Sequence, residues 1–124
     1  MLLVCDFTVP DADSAEFSAQ ASRATELLTA QPGCVRAVIG RSADEPEKWA
    51  MTVEFTSVVA YRRAMSPFDV REHVIPFLSR GDAAAYEIFA TATDGKAEQQ
   101  VSVVAADAAI AGPRDASGPA TPRG

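Results

Sequence analysis

The chain has 124 residues, 48% hydrophobic and 23% charged, which is one ordinary domain with a short stretch to spare, able to bury a core without a metal or disulfide staple. With 17 Asp plus Glu against 11 Lys plus Arg it has no cationic excess for a phosphate backbone, so nucleic acid is not an expected partner. No run approaches the ~20 apolar residues of a membrane helix and no basic flank opens the chain, so no membrane contact and a cytoplasmic location are expected.

Leu2 to Val9 alternates, with Leu3, Cys5, Phe7 and Val9 on one face and Leu2, Val4, Asp6 and Thr8 on the other, which predicts a strand wetter on one side. Asp13-Ser14-Ala15-Glu16 has the spacing of a capping box and opens a helix over about Ser14 to Ala30. Its apolar stripe is Phe17, Ala21, Ala24 and Leu28, and Pro32-Gly33 stops it.

Cys34 to Arg41 and Lys48 to Thr56 then predict a hairpin around a polar turn, with Trp49, Met51, Val53 and Phe55 sharing one face of the second strand. Ser57 caps a short helix whose inner side is Val58, Tyr61 and Met65. Ser66-Pro67 restarts the helix with Ser66 as cap, the stripe Val70, Val74, Phe77 and Leu78 follows, and Pro76 should kink or open it. Ala84 to Thr91 closes the domain as a last strand.

All aromatic residues lie before residue 93, so the folded domain is expected over residues 1–93. Residues 94–124 form a C-terminal extension, with a strand-like run at 100–105 (QVSVVA) and disorder expected from about residue 112. The order β-α-β-β-α-β predicts an α+β, ferredoxin-like fold: a four-stranded antiparallel sheet in the order 4-1-3-2 with helices on one face. The other face also carries apolar residues, and a second copy packed sheet to sheet would cover it, so a homodimer is expected.

In that strand order Cys5 and Cys34 are separated by one strand, roughly 9–10 Å between Cα atoms, beyond the reach of a disulfide; two free thiols are expected. One histidine and two cysteines also leave a transition metal short of soft ligands.

The segment VEFTSVVAYRRAMSPFDVREHVIPFL, with the earlier CDFTVP…F…A…LL…QPGCV, resembles the antibiotic biosynthesis monooxygenase (ABM) domain of the dimeric α/β-barrel superfamily, over roughly residues 1–92. The resemblance implies a homodimer acting on a small planar aromatic substrate such as a polyketide quinol or anthrone, as a cofactor-independent monooxygenase with no bound cofactor or metal. Alternative functions within reach of the resemblance are haem binding and degradation, with His73 in a position similar to an axial ligand, and a non-catalytic dimeric module that binds a small ligand. The family often places a polar side chain, commonly Asn, on the first strand. The chain has no Asn, and Asp6 is the matching position. An ionised Asp accepts where an Asn amide donates.

In a cofactor-free oxygenase the deprotonated substrate itself reduces dioxygen, so the protein must supply a dry cavity, a base and donors for the developing anion. Asp6 is the candidate base, His73 the proton shuttle and Tyr61 a donor. Trp49, Phe77 and Tyr86 are the expected substrate contacts. Each has a plainer reading as well: Asp6 as a surface carboxylate paired with arginine, His73 as an exposed neighbour of Asp69, Trp49 as core or dimer packing, Arg62 and Arg63 as a solvated face. Convergence of Asp6, Tyr61 and His73 on one void would favour the oxygenase; a wall of apolar atoms would favour the binding module.

Overall fold

Alternation in the first strand decides the layering. In the computed structural model, which describes residues 1–100, β1 (Leu2–Thr8) buries Leu3, Cys5 and Phe7 under the helices and leaves Asp6 and Thr8 exposed on the opposite face. It pairs antiparallel with β3 (Lys48–Phe55) in the register Cys5↔Met51 and Phe7↔Trp49, and with β4 (Asp82–Tyr86) in the register Cys5↔Ala83. β2 (Cys34–Arg41) flanks β3, giving the expected sheet order β2-β3-β1-β4. With β3 between them, Cys5 and Cys34 are both free thiols.

The helical layer is α1 (Ser14–Thr29), α2 (Val58–Ala64) and α3 (Phe68–Leu78). α1 buries the stripe read from its spacing, Phe17, Ala21, Ala24 and Leu28, and α3 buries Val70, Val74, Phe77 and Leu78. Both stripes meet the sheet residues Leu3, Phe7, Met51, Val53 and Phe55 in one core. Four aromatic rings knit one end of it: Phe17 lies 4.9 Å from Phe7, 5.2 Å from Phe77 and 5.1 Å from Trp49.

Several local expectations are corrected. The capping box is not formed: a 3-10 turn over Asp11–Asp13 leads into α1, and Asp13 has φ −98° and ψ 0°, not the extended backbone that aims a cap at the first turn. Ser66 does not cap α3, because its hydroxyl donates to the Arg63 carbonyl at 2.8 Å and Pro67 takes the cap position. Ser57 does cap α2, accepting from the Ala60 N–H at 3.0 Å. α3 runs through Pro76 from Phe68 to Leu78 without a break.

The last strand also differs from the reading. β4 ends at Tyr86, and the chain then builds a separate two-stranded hairpin, β5 (Ala90–Thr93) and β6 (Lys96–Gln99). Asp94 and Gly95 turn it with φ of 54° and 76°, the two positive values a tight hairpin loop requires. Alternation across 84–91 fits one strand through the break, whereas the Asp94-Gly95 pair is the sequence signal of the hairpin. The described residues fall into two units, Met1–Glu87 and a second that begins at Ile88. Of the strand expected at 100–105 and the disorder expected from about 112, everything after residue 100 lies outside the described residues.

Two glycines are demanded by the fold around the sheet. Gly33 has φ 86°, and a Cβ there would stand 2.5 Å from the Ala60 Cβ. A Cβ on Gly81, between α3 and β4, would strike the Asp6 carbonyl oxygen and lie 2.8 Å from the Phe7 ring.

Candidate functional site

The outer surface of the helical layer holds a groove of about 450 Å³ between α1 and α3. Helical spacing builds both walls: Glu16, Gln20 and Arg23 recur at i, i+4 and i+7 on α1, and Glu72, His73, Pro76 and Phe77 face them from α3. Arg80, just past α3, closes one end, donating to the Gln20 side-chain oxygen with its guanidinium 5.5 Å from the Phe17 ring centroid. Phe77, only 4% exposed, supplies an apolar floor beneath a rim of two guanidiniums, one imidazole and two carboxylates. Pro76 has no N–H to return to the Glu72 carbonyl.

The residues singled out from the sequence fall on different surfaces. His73 and Phe77 line the groove. Asp6 is exposed on the opposite face of the sheet, across from Ala50 on β3 and Asp82 on β4. Tyr86 shares that open face, registered against Leu2 and 56% exposed. Tyr61 is half-buried on the helical side against Phe55, with ring centroids 5.5 Å apart. Phe55 lies at the Met1 end of β1, so Asp6 and Tyr61 are separated by the sheet and by about 17 Å along the strand. Asp6, Tyr61 and His73 therefore do not converge on one void. The helix-facing wall of β1 is apolar apart from the Cys5 thiol, which sits 3.6 Å from the Leu78 carbonyl. Burial first, and then the negative charges of Asp6 and Asp82, push that thiol up to about 11.

Trp49 is half-buried between Phe17 and Arg41, and its indole N–H is buried with no hydrogen-bond partner among the described residues. The sequence reading missed the Arg23, Gln20 and Arg80 side of the groove, because it followed only the apolar stripe of α1. The polar stripe Glu16-Gln20-Arg23 was the available signal. Among the described residues no three His, Cys, Asp or Glu side chains cluster as a metal site, and no helix is long and apolar enough to cross a membrane.

The model of the antibiotic biosynthesis monooxygenase family matches residues 1–71 of this chain. Among solved structures, SnoaB, a cofactor-independent oxygenase from Streptomyces nogalater, is 26% identical, with 67% of this chain and 84% of that one covered at a TM-score of 0.57. A conserved protein from Methanosarcina mazei Go1 is 18% identical, covering 68% and 88% at a TM-score of 0.61. A protein from Shewanella oneidensis is 15% identical, covering 68% and 86% at a TM-score of 0.58; these last two show the fold alone. No curated protein matches the sequence.

Proposed function

The chain belongs to the antibiotic biosynthesis monooxygenase family, and from that premise we propose that it is a cofactor-independent monooxygenase that oxidises a small planar aromatic of the anthrone or quinol type in the groove between α1 and α3. The observation that carries the reading is the pairing, in one groove, of an apolar floor at Phe77 with the imidazole of His73 and the guanidiniums of Arg23 and Arg80. Its volume of about 450 Å³ lies within the ~300–1,000 Å³ usual for small-molecule sites. The similarity to SnoaB at 26% identity supports the same class of chemistry.

In this account the substrate's rings lie on Phe77 and Pro76, and the His73 imidazole accepts a proton from the acidic methylene of an anthrone. Arg23 and Arg80 hold the resulting anion. The carbanion passes one electron to dioxygen, and the radical pair closes a carbon–oxygen bond to give a peroxide. The His73 imidazolium returns its proton to the outer peroxide oxygen, the freed imidazole takes the second methylene proton as the O–O bond breaks, and the hydroxide released beside the ketone takes that proton from His73. One oxygen atom enters the product and the other leaves as water. Asp6 and Tyr86, on the open sheet face, are assigned to the homodimer contact, together with the half-buried Leu2 and Val4 and with Val38, which is 47% exposed.

The test is oxygen uptake against a panel of anthrones and quinols with no added cofactor, wild type beside His73→Gln. Consumption of dioxygen and anthrone in equal amounts, with a rate falling about 10²-fold in the variant, supports the account. A second reading is favoured by the failure of Asp6, Tyr61 and His73 to meet at one void: binding in the groove without turnover. It follows if panel members bind and none consumes dioxygen.

A further inference from the structure

An indole nitrogen can only donate, and a buried donor left unpaired is uncommon in native proteins, so the N–H of Trp49 calls for an acceptor. The surroundings of Trp49 supply a cation to hold one. The Arg41 guanidinium lies 5.0 Å from the Trp49 ring centroid. It is held there by two of the chain's own oxygens: Nη2 contacts the Asp11 carboxylate at 2.9 Å, and Nε donates to the Pro46 carbonyl at 2.6 Å. Asp11 belongs to the 3-10 turn between β1 and α1, and its side chain is 81% exposed. A carboxylate in such a solvent-open pair is easily displaced. Phe17, 5.1 Å from Trp49 and 5.2 Å from Phe77, separates this place from the groove of the proposed reaction.

We propose that Trp49 and Arg41 form a second binding site, for a small aromatic carboxylate, in which Asp11 holds the Arg41 half of the ligand's place until the ligand displaces it. The ligand's carboxylate takes Arg41 from Asp11 and accepts the Trp49 N–H. Asp11 is then a built-in competitor, and its removal strengthens binding, the opposite of what loss of a structural contact does. The site rests on the oxygenase reading only for the aromatic character of its ligand, and it is tested by binding, with no turnover required.

Trp49 is the only tryptophan in the sequence, so its fluorescence reports this site alone. The full chain is titrated with benzoate, and with benzyl alcohol as the uncharged control. A saturable change in emission is expected with benzoate and none with benzyl alcohol. Asp11→Asn, at an exposed position, lowers the benzoate dissociation constant about two- to fivefold, the worth of an exposed ion pair. Arg41→Gln abolishes saturation. Trp49→Phe, followed by calorimetry, weakens binding about tenfold through loss of a hydrogen bond to a charged group. Absence of saturation in the wild type overturns the proposal. So does equal response to benzyl alcohol, or an Asp11→Asn affinity that is unchanged or weaker. Oxygen uptake lost in His73→Gln with benzoate binding intact would separate the two sites.

Discussion

Replacing Phe17 with alanine removes the ring on which the α1 side of the core is built. Phe17 has no exposed surface and contacts Phe7, Trp49 and Phe77 at centroid distances of 4.9, 5.1 and 5.2 Å, with Arg80 over its face. Deleting a fully buried Phe costs about 3–5 kcal/mol, the upper part of the range applying where neighbours cannot collapse into the void. Here the neighbours are three rings anchored on β1, β3 and α3, so a loss near 4 kcal/mol is expected, roughly a third to a half of the stability of a domain this size. Phe17→Leu keeps most of the volume and loses the edge-to-face contacts, for a cost of about 1–1.5 kcal/mol. Urea unfolding followed by Trp49 emission measures both, and Trp49 emission in folded Phe17→Ala should shift red as water reaches the indole. A loss below about 1.5 kcal/mol for Phe17→Ala would refute the claim that the aromatic cluster pins α1 to the sheet.

Gly33→Ala should cost about 2 kcal/mol in the denaturant midpoint, because φ 86° disfavours any Cβ and Ala60 stands 2.5 Å from it; a neutral result would show that the turn relaxes. Ser57→Ala should cost about 1 kcal/mol by removing the acceptor of the Ala60 N–H, and Ser66→Ala much less, since Ser66 caps nothing. Alkylation of the native protein should label half-buried Cys34 well before buried Cys5, with both labelled after unfolding; equal native rates would contradict the burial of Cys5. The Cys5 thiol is raised in the fold from an ordinary 9.0 to about 11, so its contribution to stability is full below pH 9 and is lost as pH rises through about 11. Urea midpoints of the wild type should therefore fall more steeply over that window than those of Cys5→Ala.

Periodicity made most of the fold legible. The Phe17-Ala21-Ala24-Leu28 and Val70-Val74-Phe77-Leu78 stripes and the alternation of β1 and β3 fixed which faces meet, and those faces are buried as read. Chain ends of elements were harder. Asp13 and Ser66 have cap chemistry, but the neighbouring 3-10 turn and Pro67 set backbone angles that override it, and no residue pattern shows this. The end of β4 is hidden because short alternating residues fit one long strand as well as two, whereas the Asp94-Gly95 pair marks the hairpin that follows. The candidate site was read through residue type alone. His73 and Phe77 fall in one groove because they are four apart on α3; Asp6 falls on the far face because strand parity put it with Leu2 and Val4, which the alternation already implied. The Asp11–Arg41 pair and the unpaired Trp49 N–H depend on contacts between residues far apart in sequence, beyond the reach of any local pattern.

The central claim is that this chain inserts oxygen from dioxygen into an activated aromatic without help from a bound cofactor. Mass spectrometry of the anthraquinone formed from anthrone under heavy-isotope dioxygen, with a metal chelator present and only the purified chain added, tests it directly. The account predicts one heavy oxygen atom in the new carbonyl, formed about 10²-fold more slowly above the uncatalysed background in a matched incubation with His73→Gln. Unlabelled quinone, or labelled quinone formed no faster than without protein, would contradict it.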